Sequence, residues 1–458
     1  MTRRGEKSLI SKLYFGFTSL TVLAVIGLVS VKPAVPKALT RENKSPTVHG
    51  RFSPITLVQE RGDQGASRSP ARRVYACPPC GCEAHQNTEK TFSEPGACAY
   101  CHMPLIRKVS SARKTKDAEA AAELKAFLES LARDDEFSGA VLLARHGQIF
   151  FTGAYGEANK SFGVPNRVDT KFNLGSMNKM FTAVAIAQLA EAGKLSFDDP
   201  LARFLPNALP RIDAQKVKIK HLLTHASGLG DYLFTPEMDR LSKAKFRTVD
   251  DWMARVKDET LAFEPGTSSR YSNTGYLILG KIIEQVTGQS YFDYIRKSIY
   301  VPAGMLNTDS YEADKVVPNL SVGYMKVGNA AGAEWQSNLF EHVVKGGPAG
   351  GGYSTVADLL KFAVALQSGK LVGKRYVDLL TSPKPELNSP TYGYGFEIMG
   401  RVVGHGGAAP GISSNLLIYL DEGYVVAVLS NYDFGYFSVI QAVQDLLPLK
   451  AFTGPSSV

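Results

Sequence analysis

Asn173-Leu174-Gly175-Ser176-Met177-Asn178-Lys179 leads into residues 180–190, which are apolar on nearly every face. A helix that is apolar all round is a buried one. The stretch therefore predicts a buried helix with Ser176 in its first turn, after a glycine that lets the backbone bend. Lys179 lies three residues on, one turn up and on the same side. A serine hydroxyl is a poor nucleophile until a base stands beside it. A lysine becomes such a base when its cation is disfavoured, and both burial and the positive end of a helix disfavour it. Ser111–Lys114 and Ser242–Lys245 share the spacing but lie in polar, charged stretches. Taken alone, Ser176 also fits a helix-capping serine.

Two further stretches carry chemistry of the same kind. Phe263-Glu264-Pro265-Gly266 is followed by Arg270-Tyr271-Ser272-Asn273, and then by an apolar-periodic helix over 277–286. Tyr271 would exchange protons if a nearby cation favoured its phenolate. The Asn273 amide offers both donors and acceptors to a bound acyl group. A capping Ser-Asn turn with a core tyrosine explains the same residues structurally. The third stretch is Gly404-His405-Gly406-Gly407-Ala408, placed between two expected strands. Its glycines let a ligand approach an edge strand, and the Ala408 N–H with that of Ser176 would form an oxyanion hole. A plain glycine turn is the structural alternative.

The order Ser-x-x-Lys, Tyr-Ser-Asn, His-Gly-Gly resembles the serine β-lactamase-like hydrolases, a group that includes class C β-lactamases, penicillin-binding proteins, D-stereospecific peptidases and esterases. His221-Leu222-Leu223-Thr224-His225-Ala226-Ser227-Gly228-Leu229 and Gly350-Gly351-Gly352-Tyr353-Ser354-Thr355 resemble further segments of that family. The resemblance runs over about residues 120–448. It implies that Ser176 is acylated, that Lys179 and Tyr271 shuttle its proton, and that Asn273, His405, Gly407 and Ala408 contact substrate. His405-Gly406-Gly407 stands where lactamases carry Lys-Thr-Gly. A neutral histidine there removes a permanent cation for a substrate carboxylate, so an ester, amide or small peptide is expected ahead of a β-lactam. His221 and His225, four apart, are read as structural. No cofactor is expected for catalysis.

The expected fold is α+β. A helix over 117–133, a hairpin of strands 137–144 and 148–154 turning at Arg145-His146-Gly147, strands at 394–399, 414–419 and 424–430, and a closing helix over 437–447 suggest an antiparallel sheet built from both ends of the domain. Between them, from 172 to about 300, the chain reads as a mainly helical subdomain. The hydrolase domain is placed at 117–450.

Ahead of it the organisation changes. Arg3, Arg4, Lys7 and Lys12 precede an uncharged apolar run over 13–31, long enough to cross a bilayer. Residues 1–31 read as a signal peptide or, since no clean cleavage site follows, a membrane anchor. The basic flank predicts export to the cell envelope. Residues 32–74 and 107–116 read as linkers. The net charge of +9 sits largely in these basic stretches. No basic helix carries interleaved aromatics, so nucleic acid is not an expected partner.

Residues 75–106 hold all five cysteines. Cys77-Pro78-Pro79-Cys80 and Cys98-Ala99-Tyr100-Cys101 are spaced for a tetrahedral metal site. They resemble a small heavy-metal-binding domain, with Cys82, His85 and His102 as further candidate ligands and Zn²⁺ or Cu⁺ as the metal. Disulfides are the competing reading in an exported chain. Two functions fit these features: an envelope hydrolase acting through an acyl-enzyme on a small molecule or peptide, or a non-catalytic penicillin- or metal-responsive sensor.

Overall fold

The computed structural model describes residues 73–78, 90–99, 102–109, 114–236, 238–328 and 333–449. The apolar run at 13–31, Cys80, Cys82, His85 and Cys101 lie outside the described residues. Among the described residues, no helix is long and apolar enough to cross a membrane.

Six antiparallel strands make the main sheet: β1 (Gly139–Arg145), β2 (Gln148–Tyr155), β3 (Glu397–Met399), β4 (Val402–Ala409), β5 (Ile412–Tyr419) and β6 (Tyr424–Ser430), in spatial order β3-β4-β5-β6-β1-β2. Strands from the two ends of the domain meet where β6 pairs with β1, Tyr424 opposite Arg145 through Ser430 opposite Gly139. The β1–β2 turn is the two-residue kind, with His146 at φ 48° and Gly147 at φ 77°, which matches the twist of the strands.

Alternation along these strands builds two cores. Ala140, Leu142, Leu416, Ile418, Ala427 and Leu429 face one side. The helix α1 (Asp117–Arg133) lies on the other face, and α2 (Asn178–Glu191), α3 (Asn273–Thr287) and α4 (Val356–Gln367) gather with these six residues in the larger core. Val141, Leu143, Leu417, Tyr419, Val426 and Val428 point the opposite way and pack with α1 and the closing helix α5 (Gly435–Leu446).

Three expectations change. The segment from 192 to 272 is mostly loop, with short helices at Ile219–Leu223 and Val249–Met253; Pro200, Pro206 and Pro210 deny it a continuous amide ladder. The strand expected at 394–399 survives only as β3. Gly395 has φ 81°, and a Cβ there would lie 2.3 Å from the Ala183 side chain, so the chain bends to pass over α2. Gly404-His405-Gly406-Gly407-Ala408 is not a link between strands but strand β4 itself. Since β3 covers only Val402 to Gly404, β4 is an edge from His405 onward.

Residues of the cysteine module form a three-stranded sheet, Thr91–Phe92, Tyr75–Ala76 and Ile106–Arg107 in that order. It packs on the domain built around the main sheet. Tyr75 donates to Glu136 (2.9 Å), Arg107 pairs with Asp134, and the Arg107 amide donates to Ser438 on α5 (3.1 Å). Ile106 enters the core beneath α1 and α5.

A second contact sets the depth of the interior. Gly280 on α3 has no side chain because Pro348 occupies the place; a Cβ would lie 2.1 Å from the Pro348 ring. Gly280→Ala gains about 1 kcal/mol in helix propensity but overpacks this contact by about 1–3 kcal/mol. A lower melting temperature is expected, and an unchanged one would show that the 346–352 loop yields.

Candidate active site

The Ser176 turn is made by close backbone packing. Gly175–Met177 is a 3-10 turn, and Gly175 has φ 50°. A Cβ on Gly175 would lie 2.9 Å from the Ala408 nitrogen, and one on Gly407 would lie 2.0 Å from the Leu174 oxygen. These two glycines let the turn rest on the open edge of β4. Ser414 on β5 donates to the same Leu174 oxygen at 2.7 Å. On the other side the glycine-rich loop closes over the turn: Leu174 N donates to Gly352 O (2.7 Å) and Gly351 N to Gly175 O (3.0 Å). Asn178, fully buried, donates to Gly347 O and accepts from Gly352 N.

Lys179, the second residue of α2, has no exposed surface. Its Nζ donates to Ser176 Oγ (3.1 Å), Asn273 Oδ1 (2.7 Å) and Ala349 O (2.6 Å). It also lies 4.7 Å from the centre of the Tyr271 ring. Tyr271 stands ahead of α3, whose cap Ser272 accepts from Gly275 N (3.0 Å) and donates to Gly230 O (2.7 Å). The Ser176 side chain lies close enough to the Tyr271 hydroxyl to favour its phenolate, against the larger effect of burial. Although 36% of Tyr271 is exposed, that hydroxyl end is turned inward. Hydroxyl, amine and phenol thus meet at Ser176 Oγ.

Burial pushes Lys179 well below the ordinary lysine range, against the pull of Asp231 and Glu397. Burial drives Tyr271 the opposite way, well above 10. The phenolate expected beside a cation is therefore not the form the site favours. Lys179, itself held toward its neutral form, does not outweigh the burial of the phenol. The arrangement holds a neutral phenol beside an amine that readily becomes neutral.

The other expected residues surround this centre. Asn273 touches Lys179 through its oxygen and Asp231 through its nitrogen (2.7 Å). Gly407 and Ala408 lie beside the Ser176 turn. His405 is 1% exposed, with Nε2 2.9 Å from the Tyr392 hydroxyl and Nδ1 on Gly406 O. A carbonyl only accepts, so the proton sits on Nδ1 and Tyr392 donates to Nε2. The ring thus meets the site through Tyr392. His221 and His225 do not pair as ligands: His221 Nδ1 accepts from Lys218 N, and His225 Nδ1 accepts from Ser272 N. His225 stacks on Tyr271 with centroids 4.3 Å apart.

Asp231, Glu397 and Tyr392 escaped sequence reasoning. Asp231 reaches Asn273 across 42 residues, from a segment with no readable motif. Glu397 lies on β3, 3.6 Å from His405. A groove of about 550 Å³ between α1 and β2 lies at the opposite edge of the sheet from β4 and holds none of these groups.

A family profile described as Beta-lactamase matches residues 121–445. Penicillin-binding protein 4* of Bacillus subtilis is 33% identical over 67% of this chain and 71% of its own length. Esterase EstB of Burkholderia gladioli is 36% identical over 41% of this chain and 51% of its own. The crystal structure of a D-stereospecific amidohydrolase from Streptomyces sp. superposes with a TM-score of 0.59 at 28% identity, covering 71% of this chain and 98% of that one.

His405 supplies a test of the buried site. Burial, and then Lys179, push its pKa down to about 3, whereas an unfolded histidine titrates near 6.5. Its stabilising contribution is complete above about pH 6.5 and is lost as pH falls toward the folded value, at up to about 1.4 kcal/mol per pH unit. The gap in melting temperature between wild type and His405→Gln should therefore narrow from about pH 7 to about pH 4. A gap that widens on acidification would mean the folded ring is protonated.

Proposed function

The chain belongs to the beta-lactamase family, and we propose that it is an exported serine hydrolase that cleaves neutral esters, amides or small peptides through an acyl-enzyme on Ser176. One observation carries the reading: a wholly buried lysine nitrogen 3.1 Å from the serine hydroxyl. In this mechanism neutral Lys179 takes the Ser176 proton as Oγ attacks the substrate carbonyl. The amides of Ser176 and Ala408 receive the developing oxyanion. Tyr271, a neutral phenol, hands its proton to the leaving alcohol or amine and is reprotonated from Lys179. Water then attacks the acyl carbonyl, and the serine leaves with the proton returned along the same groups.

The charges around the pocket favour a neutral substrate. His405, buried behind Tyr392 and neutral, offers no cation to a substrate carboxylate, and Asp231 and Glu397 act on Lys179 from nearby as anions. An esterase and an amidohydrolase among the relatives lend weight to the same substrate range. Export to the envelope, by a signal peptide or a membrane anchor over 1–31, rests on the apolar run and its basic flank. The sensor alternative has less support, since all three acid/base groups converge.

A fluorophosphonate probe is expected to label the wild type once, at Ser176, and to leave Ser176→Ala unlabelled. Lys179→Ala should lower kcat/KM for a p-nitrophenyl ester by about 10²–10⁴-fold. The wild-type rate should rise with pH along a limb well below the ordinary lysine range, as Lys179 loses its proton. A chromogenic cephalosporin, which carries a carboxylate, should turn over more slowly than the ester. Equal labelling of Ser176→Ala would overturn the reading.

The cysteine module is proposed to hold Zn²⁺ or Cu⁺ through Cys77, Cys80, Cys98 and Cys101. In support, Cys98 is buried and begins a closed turn: His102 N donates to Cys98 O (2.9 Å) and Cys98 N to Met103 O (2.8 Å). Elemental analysis of the purified full chain should return about one ion per chain. No metal, with two disulfides by mass, would reverse this assignment.

A further inference from the structure

Lys179 is held from several elements. Ser176 precedes it on its own turn, and Ala349 presents a carbonyl from the glycine-rich loop. Tyr271 and Tyr276 set their rings against its nitrogen. Asp231 and Glu397 pull on it as anions, while His225 and His405 lie near enough to feel its charge. Asn273 connects it to Asp231 by hydrogen bonds: Asp231 Oδ2 accepts from Asn273 Nδ2 (2.7 Å), and Asn273 Oδ1 accepts from Lys179 Nζ (2.7 Å).

We propose that Asp231 is a positioning residue for the reaction, locking the Asn273 amide in the one orientation that holds Lys179 against Ser176. The proposal rests on the serine hydrolase reading above. An asparagine amide is nearly symmetric in shape and presents an acceptor on one side and donors on the other. Burial raises the Asp231 pKa, while Leu233 N, Lys179 and Asn273 favour its ionised form; that carboxylate only accepts, so the Asn273 nitrogen faces Asp231 and its oxygen faces Lys179. Flipped, the amide would set its oxygen against the carboxylate and its N–H groups against the donor hydrogens of Lys179. Asp231 is itself held, with Oδ1 accepting from Leu233 N at 2.9 Å. The chain Asp231–Asn273–Lys179–Ser176 joins a loop, the start of α3 and the start of α2 by three hydrogen bonds.

The carboxylate also has a second effect through the same chain. Its negative charge favours the protonated amine and so opposes the effect of burial. Orientation and charge are separable, because asparagine at 231 can still accept from Asn273 but carries no charge, whereas alanine can do neither.

The test measures pH–rate profiles of the full chain on a p-nitrophenyl ester for wild type, Asp231→Asn, Asp231→Ala and Ser176→Ala. Asp231→Ala should lose about 10–100-fold in kcat with KM within about threefold, since the base is misplaced and no substrate contact is removed. Asp231→Asn should keep kcat within about tenfold and shift the acid limb to lower pH by about half a unit or more, because the amine loses an anion. Fluorophosphonate labelling of Ser176 should slow in the same order. A limb that stays in place or moves upward in Asp231→Asn would overturn the proposal, as would wild-type kcat in Asp231→Ala. If Asp231→Ala fails to fold, the Asp231→Asn profile decides alone. Ser176→Ala separates the two claims: full activity there sinks the hydrolase reading itself, while a dead Ser176→Ala beside an unmoved Asp231→Asn profile sinks only the role of Asp231.

Discussion

A single buried nitrogen organises this molecule. Lys179 Nζ has no exposed surface and three oxygen partners, one each from Ser176, Asn273 and Ala349. An amine taken out of water without partners costs several kcal/mol, so all three must be brought to it. They come from three distant parts of the chain: the turn before α2, the cap of α3, and the glycine-rich loop. Much of the surrounding architecture serves this meeting. Asn178 and Thr182 on α2 bond to Gly347 and Pro348, Gly280 lets that loop sit on α3, and Ser272 ties α3 to Gly230. The lowered pKa has the same origin, since the partners are mostly neutral and the nitrogen is dry.

What could be read in the sequence, and what could not, divides along physical lines. Ser176, Lys179 and the apolar face of α2 are local in sequence, so spacing alone placed two groups on one side of one turn. Tyr271 and Asn273 were recognisable because a capped helix start orients its neighbours. The helix and hairpin at one end and strands β5 and β6 at the other were legible from periodicity, and the antiparallel sheet they form is the expected one. Strand β4 was hidden because Gly404, Gly406 and Gly407 have no side chains to show alternation. The loop between α2 and α3 was hidden for a different reason: its order comes from single long-range bonds such as Glu259 to Gly230 and Thr274, which leave no period to read. Asp231 belongs to that loop, and its relation to Asn273 exists only after folding.

These titratable groups near the site separate into two kinds. Lys179, Tyr271 and Asp231 are linked to Ser176 directly or through one or two residues. His225 and His405 are buried aromatic surfaces that remain neutral, stacked on or bonded to Tyr271 and Tyr392. Keeping these rings uncharged avoids a second cation beside Lys179, which would lower its basicity further.

Gly175 and Gly407 have a consequence for how this pocket could diversify. Where two main chains touch, no larger residue fits on either one, so the depth of the serine below the sheet edge is closed to gradual change. The freedom lies in the surface loops, where Phe234, Leu339 and Phe340 stand 56%, 57% and 90% exposed. Substitution there leaves the buried nitrogen and its partners untouched. A lineage carrying this fold would therefore vary its exposed loops while the machinery underneath stayed still.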